Sequence, residues 1–212
     1  MSTQISQPPV APVQQIADPG PLGLAGFAMT TFVLSVFNTN LLNSSLDAAV
    51  LPLALFYGGL TQLLAGMWEF RKGNTFGATA FASYGAFWLS FYWLVTYDAA
   101  HLAGPDAHKA VGLFLLAWAI FTLYMTVAAM RTSGAVLAVF VALTVAFILL
   151  AIGKFATGST ATDFTKFGGW VGLLTAFLAW YASFAGVTNA TWARSVLPTW
   201  PMTAPVAARP AR

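Results

Sequence analysis

Residues 134–153 read GAVLAVFVALTVAFILLAIG, twenty positions in succession without an Asp, Glu, Lys, Arg or His. An α-helix rising about 1.5 Å per residue needs about 20 residues to cross roughly 30 Å of hydrocarbon, so this stretch has the length of a membrane span. Five further windows share the property: 22–42, 48–68, 75–97, 110–130 and 167–187. Every charged side chain falls between the windows or in the tails, where it avoids the roughly 2.5–3.5 kcal/mol that insertion at mid-helix costs. Over the 212 residues, 58% are hydrophobic and 7% charged, whereas a soluble domain carries roughly a quarter charged residues. A soluble bundle would show amphipathic polar faces, and a transmembrane barrel would alternate apolar and polar residues over strands of about ten. The chain therefore reads as an all-α integral membrane protein of six transmembrane helices.

Outside the spans, residues 1–21 are polar, carry Pro8, Pro9, Pro12, Pro19 and Pro21, and lack the basic start of a signal peptide. They read as a disordered cytoplasmic tail, followed by a six-helix domain at 22–190 and an irregular cytoplasmic tail at 191–212 with four more prolines. Alternate connections carry Arg71, Lys72, Arg131, Arg194, Arg209 and Arg212 on one side against Lys109, Lys154 and Lys166 on the other. The richer side is cytoplasmic, so both termini are expected inside a cell membrane crossed several times. Asp18-Pro19, Pro52 and Asn74-Thr75 are start signals for the first three helices. Thr75-Phe76-Gly77 and Lys166-Phe167-Gly168 open the third and sixth spans alike, which suggests a three-plus-three inverted repeat.

The composition also excludes chemistry. With no cysteine, disulfides, thiolate catalysis and Cys-held metals are ruled out. His101 and His108 share one short loop with Asp98 and Asp106, at most a weak surface metal site, so no metal or other cofactor is expected. No triad, phosphate-loop or dinucleotide pattern appears, and the windows hold no ionisable group for catalysis or proton pumping, so the chain does not read as an enzyme. The +3 charge is scattered along the chain, which argues against nucleic acid.

What the spans offer is neutral donors and acceptors: Thr30, Thr31, Gln62, Ser83, Tyr84 and Thr144. A threonine in a membrane helix commonly bonds the carbonyl four residues back, which would leave nothing for a solute. Gln62 shares a small-residue face with Gly58 and Gly66, where it either bonds a neighbouring helix or faces an aqueous path. Tyr84 sits near mid-membrane, where its hydroxyl requires a partner or water. Trp68, Trp93, Tyr97 and Trp192 have the positions of interfacial anchors. Small residues recur every fourth position at Ala78, Ala82, Ala86 and Ser90, and at Gly168, Gly172 and Ala176. They suit close helix packing, either within the chain or between copies of it.

The run Asp18-Pro19-Gly20-Pro21-Leu22-Gly23-Leu24 resembles the Asn-Pro-x-Pro-Leu-Gly-Leu motif of the acetate uptake transporter family. Further matches are Phe56-Tyr57-Gly58-Gly59, Gln62, Ala65-Gly66, Glu69, Lys72-Gly73-Asn74-Thr75-Phe76-Gly77, Ala80-Phe81, Ser83-Tyr84-Gly85, Phe121-Thr122-Leu123, Leu143-Thr144 and Leu150-Ala151-Ile152-Gly153, so the likeness runs over about residues 18–198. The resemblance implies a homohexamer whose protomers each pass acetate and related small carboxylates (propionate, formate, succinate in some) across the lipid bilayer. By position it implies a constriction at Phe27, Tyr84 and Leu143. Polar contacts to the solute would come from Thr30, Thr31, Gln62, Ser83, Thr144 and Asn74, and Tyr57, Glu69 and Asp18 would serve as mouth or gating residues. Asp18 departs from the motif's asparagine, although either residue caps a helix.

An unpaired carboxylate in hydrocarbon faces a desolvation cost of tens of kcal/mol, and charge-assisted bonds from neutral donors return only about 1.5–3 kcal/mol each. The expected path is hydrated and binds weakly, with an apolar neck that gates by dewetting. It can be channel-like or proton-coupled, since a proton can travel with the undissociated acid. Two rivals stay open: a channel for a neutral solute such as ammonia, and a structural or sensor protein whose polar spots only join helices.

Overall fold

In the computed structural model, which describes residues 16–98, 101, 104 and 106–202, six long helices occupy the six windows. Most of the tail expected at 1–21, and the part of the 191–212 tail beyond Met202 with Arg209 and Arg212, lie outside the described residues. Proline fits a helix start because the N–H it lacks would be unpaired there, and Pro19 and Pro21 open α1, Gly20–Asn38. The second helix, α2 (Ser44–Lys72), is not uniform. It begins as a 3-10 turn at Ser44–Val50, with Asn43 accepting from Ser45 N at 3.0 Å, and widens into a π turn at Phe56–Thr61 before Gln62–Lys72. Gly73 then ends it with φ at 77°, a backbone conformation that penalises a Cβ.

Asn74 accepts from Gly77 N at 3.1 Å and starts α3, Thr75–Trp93, which continues through a π turn at Leu94–Asp98. The remaining helices are α4 (Ala107–Ala129), α5 (Gly134–Phe155, capped by Ser133) and α6 (Gly158–Thr191). Five of the six are long and apolar enough to cross a membrane. In α3, uncharged and 19 residues long, the Gly, Ser, Thr and Tyr residues dilute the apolarity.

The largest departure from the windows is at the start of α6. Helix α6 starts at Gly158 rather than near Phe167, because a charge-free window marks only the part immersed in hydrocarbon while Asp163 and Lys166 ride on outer turns. Lys166-Phe167-Gly168 is thus helix interior, whereas Thr75-Phe76-Gly77 is a helix start, so the two triplets are not structural equivalents.

The helices form a ring in the order α4, α5, α6, α1, α2, α3, with broad packing at each step and a sparse seam where α3 meets α4. The small residues act within this ring. Gly168 lies against Leu150 of α5 and Gly172 against Ser35 of α1, while Ala82 abuts Gly66 of α2; Ala86 and Ser90, by contrast, are exposed. After α6 the chain folds back, with Asn189 bonding Val196 and Leu197 and Tyr181 donating to Pro198 O at 2.7 Å. Carbonyls of Thr199 and Trp200 then accept from Ala135 N and Gly134 N, two of the donors that the start of α5 leaves free.

Candidate functional site

A line of cavities follows the axis of the ring, each sharing wall residues with the next. At the end where α1 and α3 begin, a vestibule of about 330 Å³ is walled by Asp18, Leu24, Glu69, Lys72, Asn74, Phe76 and Phe140, among others. It shares Leu24, Ala80, Phe81 and Phe140 with a void of only about 20 Å³, whose other walls are Phe27, Gln62, Tyr84, Val139 and Leu143. Phe27 and Leu143 pass on to a void of about 60 Å³ that includes Thr31, Asn38 and Trp88. Beyond it, Leu34, Asn38, Phe91, Leu115 and Leu150 lead to about 240 Å³, and Asn38, Lys154 and Thr165 to a wide mouth of about 550 Å³ with His108 and Lys166.

Phe27, Tyr84 and Leu143 are among the walls of the smallest of these voids, each at most 5% exposed, with the Phe27 and Tyr84 rings 5.8 Å apart. Three different helices supply them, α1, α3 and α5, and Tyr84 is further wedged by Phe121 at 5.4 Å and Phe140 at 6.0 Å.

Polar atoms buried in a folded protein are almost always hydrogen-bonded, so unpaired ones are informative. Among the described residues five buried side-chain atoms lack a partner: Glu69 Oε2, Gln62 Oε1, Thr31 Oγ1, Trp88 Nε1 and His108 Nε2. All five residues line cavities, from the vestibule through the smallest void to the far mouth.

The structure thus gathers Phe27, Gln62, Tyr84 and Leu143 around the smallest void, Thr31 at the next, and Asp18, Glu69 and Asn74 at the vestibule. It separates the others. Thr30 donates to Gly26 O of its own helix at 2.8 Å and lies 3.5 Å from Leu53 O of α2, and Thr144 meets the Thr126 hydroxyl at 2.8 Å across α4 and α5; neither lines these cavities. Ser83 and Tyr57 are half-buried and line none of them either, Tyr57 being carried by the π turn of α2. Asp18 pairs with Lys72 at 2.7 Å across the vestibule rim. At the start of α4, Lys109 bonds Asp106 at 2.6 Å and holds that carboxyl below its ordinary range. No group of three or more His, Asp or Glu gathers there or elsewhere among the described residues.

Trp88 and Phe87 are cavity residues that the sequence reading did not nominate. In the sequence Phe27, Thr30, Thr31 and Leu34 share a face of α1 that continues to Asn38; the structure keeps Phe27, Thr31, Leu34 and Asn38 on the cavities and turns Thr30 away.

A ring of apolar helices around a line of cavities whose walls include the residues with unpaired polar atoms defines a multi-pass α-helical membrane protein. The chain belongs to the GPR1/FUN34/yaaH family, whose sequence profile matches residues 3–204. It is 40% identical over 184 residues to the succinate-acetate/proton symporter SatP of Escherichia coli, covering 87% of this chain and 95% of that one. It is 41% identical to acetate permease A of Emericella nidulans, over 87% of this chain and 66% of the permease. Identity to ammonia transport outward protein 2 of Saccharomyces cerevisiae is 45% over 84% of this chain, which spans 64% of the yeast protein's length. The solved structure of the bacterial acetate channel SatP superposes with a TM-score of 0.80 at 39% identity, covering 87% of this chain and 99% of that chain.

Proposed function

We propose that this protein carries small monocarboxylates, acetate foremost, across the cytoplasmic membrane along the axis of each protomer. The observation that carries the reading is the run of unpaired polar atoms at Glu69, Gln62, Thr31, Trp88 and His108 along one line of cavities. Such atoms require water or a solute group, and a helix-joining role would instead pair them with each other. The relatives named as an acetate permease, a succinate-acetate symporter and an acetate channel point the same way.

In this reading Phe27, Tyr84 and Leu143 form the size-selecting neck, Gln62 solvates the cargo within it and Thr31 just past it, and Asn74, Glu69 and the Asp18–Lys72 pair frame the vestibule. The walls of the two inner voids carry no Lys or Arg, so a doubly charged succinate finds no compensating cation there and a monocarboxylate is favoured. The vestibule faces the cytoplasm together with both termini, because Arg71, Lys72, Arg131 and Arg194 lie at that end. Protomers assemble into a homohexamer, as the family resemblance implies.

A second reading, passage of ammonia, draws on the name of the yeast relative and on the same uncharged neck. Uptake of labelled acetate by proteoliposomes separates the two. Saturable uptake competed by propionate supports the carboxylate path, whereas ammonia flux without acetate uptake supports the second.

A further inference from the structure

Glu69 is 1% exposed, although it stands one residue beyond the charge-free window of α2. The reason is that α2 runs on to Lys72 and brings the side chain in between the starts of α1 and α3. A Cβ placed on Gly77 would lie 2.8 Å from the Glu69 carboxyl carbon, and one on Gly20 would lie 3.4 Å from Oε1, so the two helix openings leave room for this group. The Asn74 amide nitrogen is close by, 2.6 Å from the same Cβ position on Gly77. Oε2 has no partner in the protein, and the residue is part of the vestibule wall.

The charged groups facing Glu69 are Lys72 on its own helix and Asp18 before α1, and these two are committed to each other at 2.7 Å. The other helices around the vestibule contribute Asn74, Phe76, Thr132, Phe140 and Ala182, none of them titratable. Two carboxylates in one such space repel, and a shared site of this kind holds one proton between them. A protonated carboxyl, by contrast, is a donor, and an O–H to carboxylate bond is among the stronger hydrogen bonds.

We propose that Glu69 in its protonated form binds the carboxylate of the cargo in the vestibule, Oε2–H donating to it, and that ionised Glu69 excludes the anion. This rests on the monocarboxylate reading above and adds a proton requirement that belongs to the protein rather than to the cargo.

The test is acetate counterflow in proteoliposomes of the full chain, with the same pH on both sides and varied from about 5 to about 8, protein-free vesicles subtracted, for wild type and Glu69→Gln. Each profile is normalised to its own rate at the acidic end. The amide keeps a donor and cannot ionise, so the wild-type rate should fall with rising pH more steeply than the variant's, by up to about tenfold per unit. Wild-type counterflow with the same slope in Glu69→Gln overturns this proposal alone; absence of acetate counterflow in the wild type overturns the monocarboxylate reading itself.

Should the variant fail to assemble, the wild type serves. Dicyclohexylcarbodiimide, which adds to protonated carboxyls in apolar surroundings, should label Glu69 in peptide mass spectra, with acetate slowing the labelling severalfold. Labelling indifferent to acetate, or no labelling under conditions of active counterflow, overturns the proposal.

Discussion

The hydroxyl of Tyr84 on α3 lies 2.9 Å from that of Thr122 on α4, and since Thr122 already donates to Trp118 O at 2.7 Å, Tyr84 is the donor. Among the described residues this is the side-chain hydrogen bond that joins α3 to α4, across the sparsest seam of the ring. It holds the ring that faces Phe27 in the smallest void.

Tyr84→Phe removes the donor and keeps the ring. Hydrogen bonds between membrane helices average about 0.6 kcal/mol and reach about 1.7 kcal/mol, so stability in detergent should drop by that order. Denaturant titration of the purified variant measures it; a value equal to wild type would mean that packing alone holds the seam.

Truncating the neck has a different consequence. Phe27→Ala or Tyr84→Ala removes a ring from a void of about 20 Å³ and should let bulkier acids through. Because a size mismatch in a tight apolar site is worth about 1–3 kcal/mol, the lactate-to-acetate uptake ratio should rise about tenfold. A ratio unchanged in both variants would take these rings out of the path.

Much of this arrangement could be read from the chain, and the reasons for the remainder are physical. Exclusion of charge from hydrocarbon marked all six helices, since one ionised side chain at mid-span outweighs every propensity signal. It could not mark the start of α6, where Asp163 and Lys166 sit on turns outside the hydrocarbon, nor the π turn that carries Tyr57. Nor could it tell lipid from lumen. Trp88, 2% exposed on a cavity wall, and Trp93, 57% exposed, look alike in a sequence where both surroundings are apolar. Thr30 and Thr144 were legible as hydroxyls in spans, but which way each turned depended on neighbours that only the assembled ring supplies.

Packing between α2 and α3 makes a further prediction. A Cβ on Gly85 would come within 2.6 Å of Leu63 N and 2.8 Å of Leu63 Cα, backbone atoms that cannot swing aside. Gly85→Val should therefore push the two helices apart, at a cost of about 1–3 kcal/mol or more, and shift Tyr84 next to it. Thermal denaturation in detergent together with size-exclusion profiles reads the outcome; a variant as stable and monodisperse as wild type would show that this seam tolerates separation.

Gln62 offers the sharpest distinction between a residue that binds helices together and one that serves the cargo. It is 1% exposed, shares the neck void with Phe27, Tyr84 and Leu143, and its Oε1 accepts from nothing in the protein. Were it a helix-joining residue, Gln62→Leu would strand a buried partner and cost about 1–3 kcal/mol of stability. With no partner at Oε1, the leucine should leave stability close to wild type, because it swaps an unsatisfied amide for an apolar group of similar size. Flux should respond the other way, since losing one hydrogen bond to a charged cargo, worth about 1.5–3 kcal/mol, slows labelled-acetate uptake by about tenfold or more. Stability lost with flux retained would reverse the assignment and make Gln62 part of the scaffold.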